Sequence, residues 1–438
     1  MSTELSSRLL AGAVLLSLTS GGVAQTPETV AFVNARIIPI VGEEIPSGTL
    51  VVRDGRIVAV GASVPVPSDA ARHDLGGKTI MPGLVDSHSH IGSPSGADRS
   101  GPIQPDARVL DSFDARSASV RRASAGGLTT VNVMPGSGHL LSGQTLYLKL
   151  RGGKTIDDLL IRLPGGRTAG GLKMANGTNS IRVSRGSFPG TRARSAALVR
   201  ERFVKAQEYR DKLRAAGDDA SKRPARDLGL EALVEVLEGT RTVHFHTHRH
   251  DDILTVLRLA GEFGFTPVLQ HVTEGWKVAD EVARAGLPAS VIVIEAPGGK
   301  LEAVDLSIET PAAMDRAGVL VGLHTDDYIT DSRLFLRSAG LAVRGGMPRD
   351  KALAAVTLAN AKMLELDARV GSLEPGKDAD FIVLSGDPLS VYTHVEQTWV
   401  EGRNVFDRSL PEDRLYAVGG YGAGDPGAIH LHDGGENR

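Results

Sequence analysis

Short runs of Val and Ile, separated by turn residues, open the chain after its first 25 residues. They are VAFVNARIIPI, GTLVVRDGRIVAVG and KTIMPGLVD, with Asp54-Gly55 as one of the turns. No long helical period occurs before about residue 110, which predicts a small sheet domain. From about Met81 strand-like runs alternate with helical ones. DARSASVRRASAGG reads as a helix and GLTTVNVM as the strand after it. Val199, Phe203, Ala206 and Leu213 share one helical face; Leu230, Leu233, Val234 and Leu237 share another. RTVHFH, FTPVLQH, ASVIVI and VLVGLH read as strands. Between them DDILTVLRLAGEFG is a helix with Ile253, Val256, Leu257 and Ala260 facing inward. TEGWKVADEVARAG is a helix with Thr273 as its cap, and TPAAMDRAG one with Thr310 as cap and Pro311 in the first turn. This alternation, at this length, predicts an α/β fold with a (β/α)8 TIM-type barrel. DDLLIRL is expected as its third strand, and no full helix fits between that run and Lys173.

After about Gly371 β character returns in GSLEPGKDADFIVLSGDP and VEQTWVEGRNVF. These runs are expected to join the N-terminal strands in a composite β-sandwich domain. The expected division is 1–24 signal peptide, 25–80 and 366–410 the two sandwich parts, 81–365 the barrel, and 411–438 a mobile Gly/Asp-rich tail. The leader has Arg8, an apolar run Leu9–Leu18 too short to span a bilayer as a helix, and small residues Gly22 and Ala24. It predicts cleavage after Ala24 and a periplasmic or secreted protein, with no membrane contact after cleavage.

The formal charge of −3 gives no bulk attraction for nucleic acid, and the basic run at 191–214 reads as a solvated helix face. The chain has no cysteine, so disulfides, thiol nucleophiles and Cys-type zinc sites are excluded. Any metal must be held by His, carboxylate or a modified Lys. PGGRTAGG lacks the Lys-Ser/Thr ending of a phosphate loop, and there is no serine nucleophile elbow.

The strand ends carry the chemistry. GLVDSHSH finishes in His88 and His90, which a two-residue period places on one face. FTPVLQH finishes in His271, and VLVGLHTDD in His324 and then Asp326. VHFHTHRHDD holds four histidines at alternate positions, with His246 or a neighbour at the strand end. A core histidine explains any one of these, not the set. His139 and Gln144, in the Gly-rich loop MPGSGHLLSGQ, and Arg249 are weaker candidates for substrate contact.

With TIMPGLVDSHSH, GGLTTVNVMPGSG, HFHTHRHDDI, LQHVTEG, LHTDD and TLANAKMLELDARVGSLEPGKDADFIVLSGDP, the chain resembles the amidohydrolase superfamily. It is most similar to the imidazolonepropionase-related and prolidase-like metal-dependent hydrolases. The resemblance implies a barrel with a composite sandwich and a homo-oligomer. It implies that His88, His90, His246, His271 and Asp326 are metal ligands. It further implies a bridging Lys173, often carboxylated in the family, with Lys149 as its rival. His248 lies near the substrate or metal shell, and Asp327 reads as a surface or supporting carboxylate. One or two divalent ions, zinc by ligand type, would activate water, with Asp326 as proton shuttle. The expected activity is hydrolysis of an amide C–N bond in a small substrate: a dipeptide, an N-acyl amino acid or a cyclic amide. A deaminase or lactonase using the same site, and a non-catalytic metal- or solute-binding barrel, are the alternatives.

Overall fold

The computed structural model describes residues 29–92, 100–181, 188–294, 296, 300–420 and 423. The leader and the tail histidines, His430 and His432, lie outside these residues. Seventeen strands are present among the described residues. The first five are β1 (Thr29–Ile37), β2 (Ile45–Arg53), β3 (Arg56–Gly61), β4 (Ala71–Asp74) and β5 (Thr79–Pro82). Then come β6 (Leu84–Ser89), β7 (Leu128–Val133), β8 (Leu141–Gln144), β9 (Leu146–Lys149), β10 (Leu172–Ala175) and β11 (Val243–Thr247). The last six are β12 (Pro267–His271), β13 (Ala289–Ile292), β14 (Val321–His324), β15 (Phe381–Leu384), β16 (Val395–Val400) and β17 (Arg403–Asp407).

One sheet draws on both ends of the chain, in the order β17-β16-β15-β5-β1-β2-β3, with β4 alongside β1. Its own core includes Phe32, Leu50, Ile80, Phe381 and Trp399. The Phe32 ring meets those of Phe381 and Trp399 edge-on, at 4.8 and 4.9 Å between centroids. The chain leaves this sheet at Gly83, between β5 and β6. A Cβ there would lie 2.2 Å from the Thr129 side chain, so only glycine lets the two sheets meet this closely.

The remaining strands form two further sheets, β14-β13-β12-β11-β10-β8 and β6-β7-β9. From β10 to β14 neighbouring strands run parallel, each pair in a continuous register; for example Thr247 faces His271 and Ile292 faces His324. The end of β14 reaches β6: Asp326 N donates to the His88 carbonyl at 2.9 Å, and Ser89 bridges to Asp327. Helices lie between the strands and bury apolar faces, as Val199, Phe203 and Ala206 do on Arg192–Ala216. Such parallel strands are buried on both faces, and the strand ends are where side chains meet. Among the described residues no helix is long and apolar enough to cross a membrane.

Several local expectations fail. DDLLIRL is not a strand. Ile156–Leu159 is a helical turn, and Asp158 accepts hydrogen bonds from the Thr155 backbone and hydroxyl at 2.9 Å. That capping arrangement outweighs the apolar pattern. The loop MPGSGHLLSGQ contains β8. Thr273 caps nothing: a 3-10 turn, Gly275–Lys277, precedes the helix Ala279–Arg284, and Thr273 Oγ1 lies 3.3 Å from His248 Nδ1. Thr310 is the first helical residue and Glu309 the cap. Leu257 is half-buried, and Leu259 and Phe263 join the inward face of its helix. The tail does not begin at Pro411. Pro411–Val418 is a helix, with Pro in its first turn, Glu412 and Asp413 at its positive end, and Arg121 paired to Asp413 at 2.9 Å.

Candidate metal centre

The site is built at the ends of β6, β11, β12 and β14. His88 lies in β6, and His90 follows the strand by one residue. Period two points both rings the same way, and their centroids are 5.2 Å apart. Asp86, two residues earlier, is buried. It accepts from His88 N at 3.1 Å, Thr325 N at 3.2 Å and Thr325 Oγ1 at 2.5 Å. Burial pushes its carboxyl up to about 7, against those hydrogen bonds. Asp86 thus ties the end of β6 to the residue before Asp326.

The imidazole tautomers follow from their partners. His88 Nδ1 is 3.2 Å from Gln270 Oε1, and His90 Nδ1 is 2.7 Å from the Met134 carbonyl. Both partners are oxygens that only accept, so each Nδ1 carries the proton. Gln270 Nε2 in turn donates to His244 Nδ1 at 3.2 Å, and His244 Nε2 meets Tyr147 Oη at 2.7 Å. In the neutral rings this leaves the Nε2 lone pairs of His88 and His90 directed inward. They lie 3.3 and 3.0 Å from Asp326 Oδ1. Burial, then Lys173, hold His88 well below the usual imidazole range, so it is neutral. Acceptors thus face an anion at contact distance, an arrangement that repels unless a proton or a cation lies between them.

A second half adjoins the first. His246, His248 and His271 offer donor atoms within 4.8 Å of one another, as do His88, His271 and His324. His246 is buried with neither ring nitrogen hydrogen-bonded. Burial, then Lys300, push it down to about 4, so it too presents a free lone pair. His271 Nδ1 is 3.8 Å from Asp326 Oδ2 and 3.0 Å from His324 Nε2. His271, Val272 and Asp326 have φ of 72°, 41° and 49°. Three non-glycine residues in the left-handed region, one β-branched, mark backbone strain concentrated at the donors.

Lys173 on β10 is fully buried, with Nζ 3.1 Å from His88 Nε2 and 3.0 Å from Met134 Sδ. Burial pushes it down to about 7, although Asp326 pulls the other way. A large fraction is therefore neutral amine at neutral pH. Lys149, the rival, is also buried but faces Asp378, Asp380 and Glu401, away from every donor named above.

The donor set fits a divalent cation. It consists of imidazole lone pairs, an ionised carboxylate and an amine able to become a carbamate, with orphaned nitrogens at His246. The structure thus brings together His88, His90, Lys173, His246, His271 and Asp326, with His248 beside them. It does not bring in the others. Arg249 is half-exposed and forms a two-point ion pair with Asp251 at 3.0 and 3.1 Å. His139 is buried between β7 and β8 and belongs to none of the donor groups. Gln144 donates to the Pro105 carbonyl at 3.2 Å. Asp327 is buried rather than at the surface, and it accepts from Ser332 N at 2.8 Å and from the Ser332 hydroxyl. Sequence reasoning missed Asp86, Gln270, Lys300 and Glu302. The first two share a strand with a named ligand, a usable signal; the last two lie at a short 3-10 turn, Leu301–Ala303.

The amidohydrolase family pattern matches residues 137–406. The chain belongs to the amidohydrolase family. The solved amidohydrolase of Thermotoga maritima MSB8 is 35% identical, with a TM-score of 0.81 over 86% of this chain and all of that one. An amidohydrolase of Hapsidospora irregularis is 29% identical over 395 residues, 82% of this chain; the chain spans only 40% of that protein's length. An imidazolonepropionase of Sphingopyxis alaskensis is 26% identical over 393 residues, 82% of this chain and 92% of that one. As an amidohydrolase the chain has a TIM-barrel-like α/β fold and is a metal-dependent hydrolase acting on C–N bonds.

Proposed function

We propose that this protein hydrolyses the amide C–N bond of a small substrate: a dipeptide, an N-acyl amino acid or a cyclic amide. One observation carries the reading: the Nε2 atoms of His88 and His90 converge on the Asp326 carboxylate at 3.3 and 3.0 Å, their Nδ1 atoms already bonded. Such a set is built to hold a cation. His88, His90, His246, His271 and Asp326, with Lys173 as a carbamate, would hold one or two divalent ions. Zinc suits these ligands. When bound, a divalent cation polarises a carbonyl and lowers the pKa of water in contact with it to near neutrality. Asp326 Oδ1 faces the Nε2 atoms of His88 and His90, while the side chain keeps 19% of its surface accessible. It takes a proton from the attacking water as oxygen adds to the carbonyl carbon. It then gives that proton to the nitrogen as the C–N bond breaks, so an acid and an amine leave. His248, beside the donors, is positioned to touch the substrate.

The same proposal includes a barrel over 81–365 and a sandwich from 25–80 and 366–410, supported by the sheet that joins β1–β5 to β15–β17. It includes export, supported by the leader with Arg8, the apolar run and Ala24. Assembly into homo-oligomers is proposed from family resemblance alone. The test is turnover by zinc-loaded protein across dipeptides, N-acyl amino acids and cyclic amides, with Asp326→Asn alongside. We expect turnover of at least one class, and a fall of about 10²- to 10⁴-fold in kcat for the variant. Turnover indifferent to Asp326→Asn would sink the mechanism. Bound metal with amidine or ester cleavage instead would favour the deaminase or lactonase reading.

A further inference from the structure

Lys300 stands at the side of the site. Its Nζ is 2.8 Å from His248 Nε2 and 3.4 Å from Glu302 Oε1. Both partners are buried, whereas the lysine side chain keeps 31% of its surface accessible. Glu302 is itself fixed, with Oε2 accepting from Thr178 N at 2.7 Å and Oε1 3.8 Å from His246 Nε2. The ammonium has three donors. One is taken by His248 and one faces Glu302; the third has no protein partner among the described residues. Of the neighbouring cations, Arg249 is paired at two points with Asp251, and Arg192 Nε with both oxygens of Asp252 at 3.0 and 2.9 Å, although its Nη2 is buried without a partner among the described residues. Lys300 is therefore a pinned, accessible cation next to a donor set that itself collects positive charge. Glu302 offsets part of this charge, and an anion entering with the ligand would offset more. The His248 ring stacks on that of His271 at 4.8 Å, so a single imidazole connects Lys300 to the donor set.

We propose that Lys300 is a specificity-determining residue that binds a carboxylate of the substrate close to the scissile amide. This rests on the amide-hydrolase reading above and narrows it: the substrate is an acid, such as a dipeptide with a free C-terminus or an N-acyl amino acid. His248 and Glu302 act as positioning residues, holding the ammonium in place before the ligand arrives.

The experiment compares zinc-loaded wild type, Lys300→Met, Lys300→Gln and Lys300→Arg, each with metal content measured. The substrates are N-acetyl amino acids and the same compounds capped as primary amides. A second arm measures by calorimetry the binding of N-ethylglycine, which has the carboxylate but no amide to cleave. We expect Lys300→Met and Lys300→Gln to raise KM for the acids about 10- to 100-fold, the range for losing a charge-assisted hydrogen bond. The capped amides should not respond, Lys300→Arg should recover part of the loss, and N-ethylglycine binding should weaken in parallel. Equal effects on acid and capped amide would overturn the role of Lys300 and leave amide hydrolysis intact. Lys300-dependent binding of N-ethylglycine without turnover of any amide would overturn the hydrolase reading and sustain the carboxylate site. Neither turnover nor Lys300-dependent binding would overturn both.

Discussion

Two buried lysines sit at similar depth in this fold and do opposite things. Lys149 ends β9 and Lys173 lies in β10, and both are withdrawn from solvent. Lys149 meets Asp378, lies 2.9 Å from Asp380 and 3.6 Å from Glu401, and is joined there by Arg56, Arg151 and Arg369. It fastens the sheet made from the chain ends to the strands that carry the site. Lys173 has no carboxylate within ion-pair distance among the described residues. Its neighbours are an imidazole nitrogen and a thioether sulfur. Burial among counter-charges makes a lysine a structural fastener. Burial without them favours the neutral amine, which can react.

The sharpest way to break this comparison is to remove each charge. Lys149→Met leaves Asp378 and Asp380 buried without their central cation and should cost on the order of 3–5 kcal/mol of stability. Lys173→Met strands no carboxylate and should leave stability nearly unchanged while lowering metal content and turnover. Chemical denaturation of both variants checks this; equal destabilisation would end the distinction.

Stripping the metal probes the other side. A cation that binds only the folded site at 100 times its dissociation constant stabilises it by about 2.7 kcal/mol. Chelation should lower the wild-type melting temperature by that measure and abolish turnover, and zinc should restore both. The same treatment should leave Lys173→Met nearly unmoved, since it starts with less metal.

A smaller effect follows from the neutral amine. With its proton released to solvent, Lys173 Nζ can form a C–N bond to carbon dioxide, giving an anionic carbamate. Metal loading in buffer stripped of carbon dioxide should yield about tenfold lower activity, recovered on adding bicarbonate. Intact-protein mass should show one carbon dioxide on wild type and none on Lys173→Met. Full activity without any such adduct would return Lys173 to an ordinary buried lysine.

Local features of this chain were legible in its sequence because their causes are local. Period two put His88 and His90 on one face, and strand ends exposed His246, His271 and Asp326 as a recurring pattern. Asp54-Gly55 read as a turn and forms one, with positive φ at both residues. Lys149 and Lys173 were not separable in this way, since LYLKLRG and GGLKMANG both place a lysine after an apolar residue. What separates them is Asp378, Asp380 and Glu401, more than 200 residues further along. The tautomers of His88 and His90 also depend on remote partners, Gln270 and the Met134 carbonyl. Asp158 turned an apolar run into a capped helical turn because a single side chain outweighed the pattern. Lys300 and Glu302 lie at a 3-10 turn, Leu301–Ala303, too short for any periodicity to say which way a side chain faces.

The smallest predicted effect tests the fastener itself through pH. Burial works to raise the Glu401 carboxyl, but Arg151, with Lys149 and Arg369, outweighs it and brings it from 4.5 to about 2. A carboxylate whose pKa is lower folded than unfolded stabilises the fold above its unfolded value. That contribution is complete above about pH 4.5 and is lost as pH falls from 4.5 toward 2. Because the side chain keeps 28% of its surface in water, screening holds the effect to about 1 kcal/mol. Glu401→Gln should therefore be less stable than wild type at pH 7 by about that amount, with the gap closing as pH falls through this window. The His and Asp326 donors are common to both proteins, so their own titration cancels in the difference. A gap independent of pH would mean that Glu401 contributes shape and not charge, and that the fastener around Lys149 depends on Asp378 and Asp380 alone.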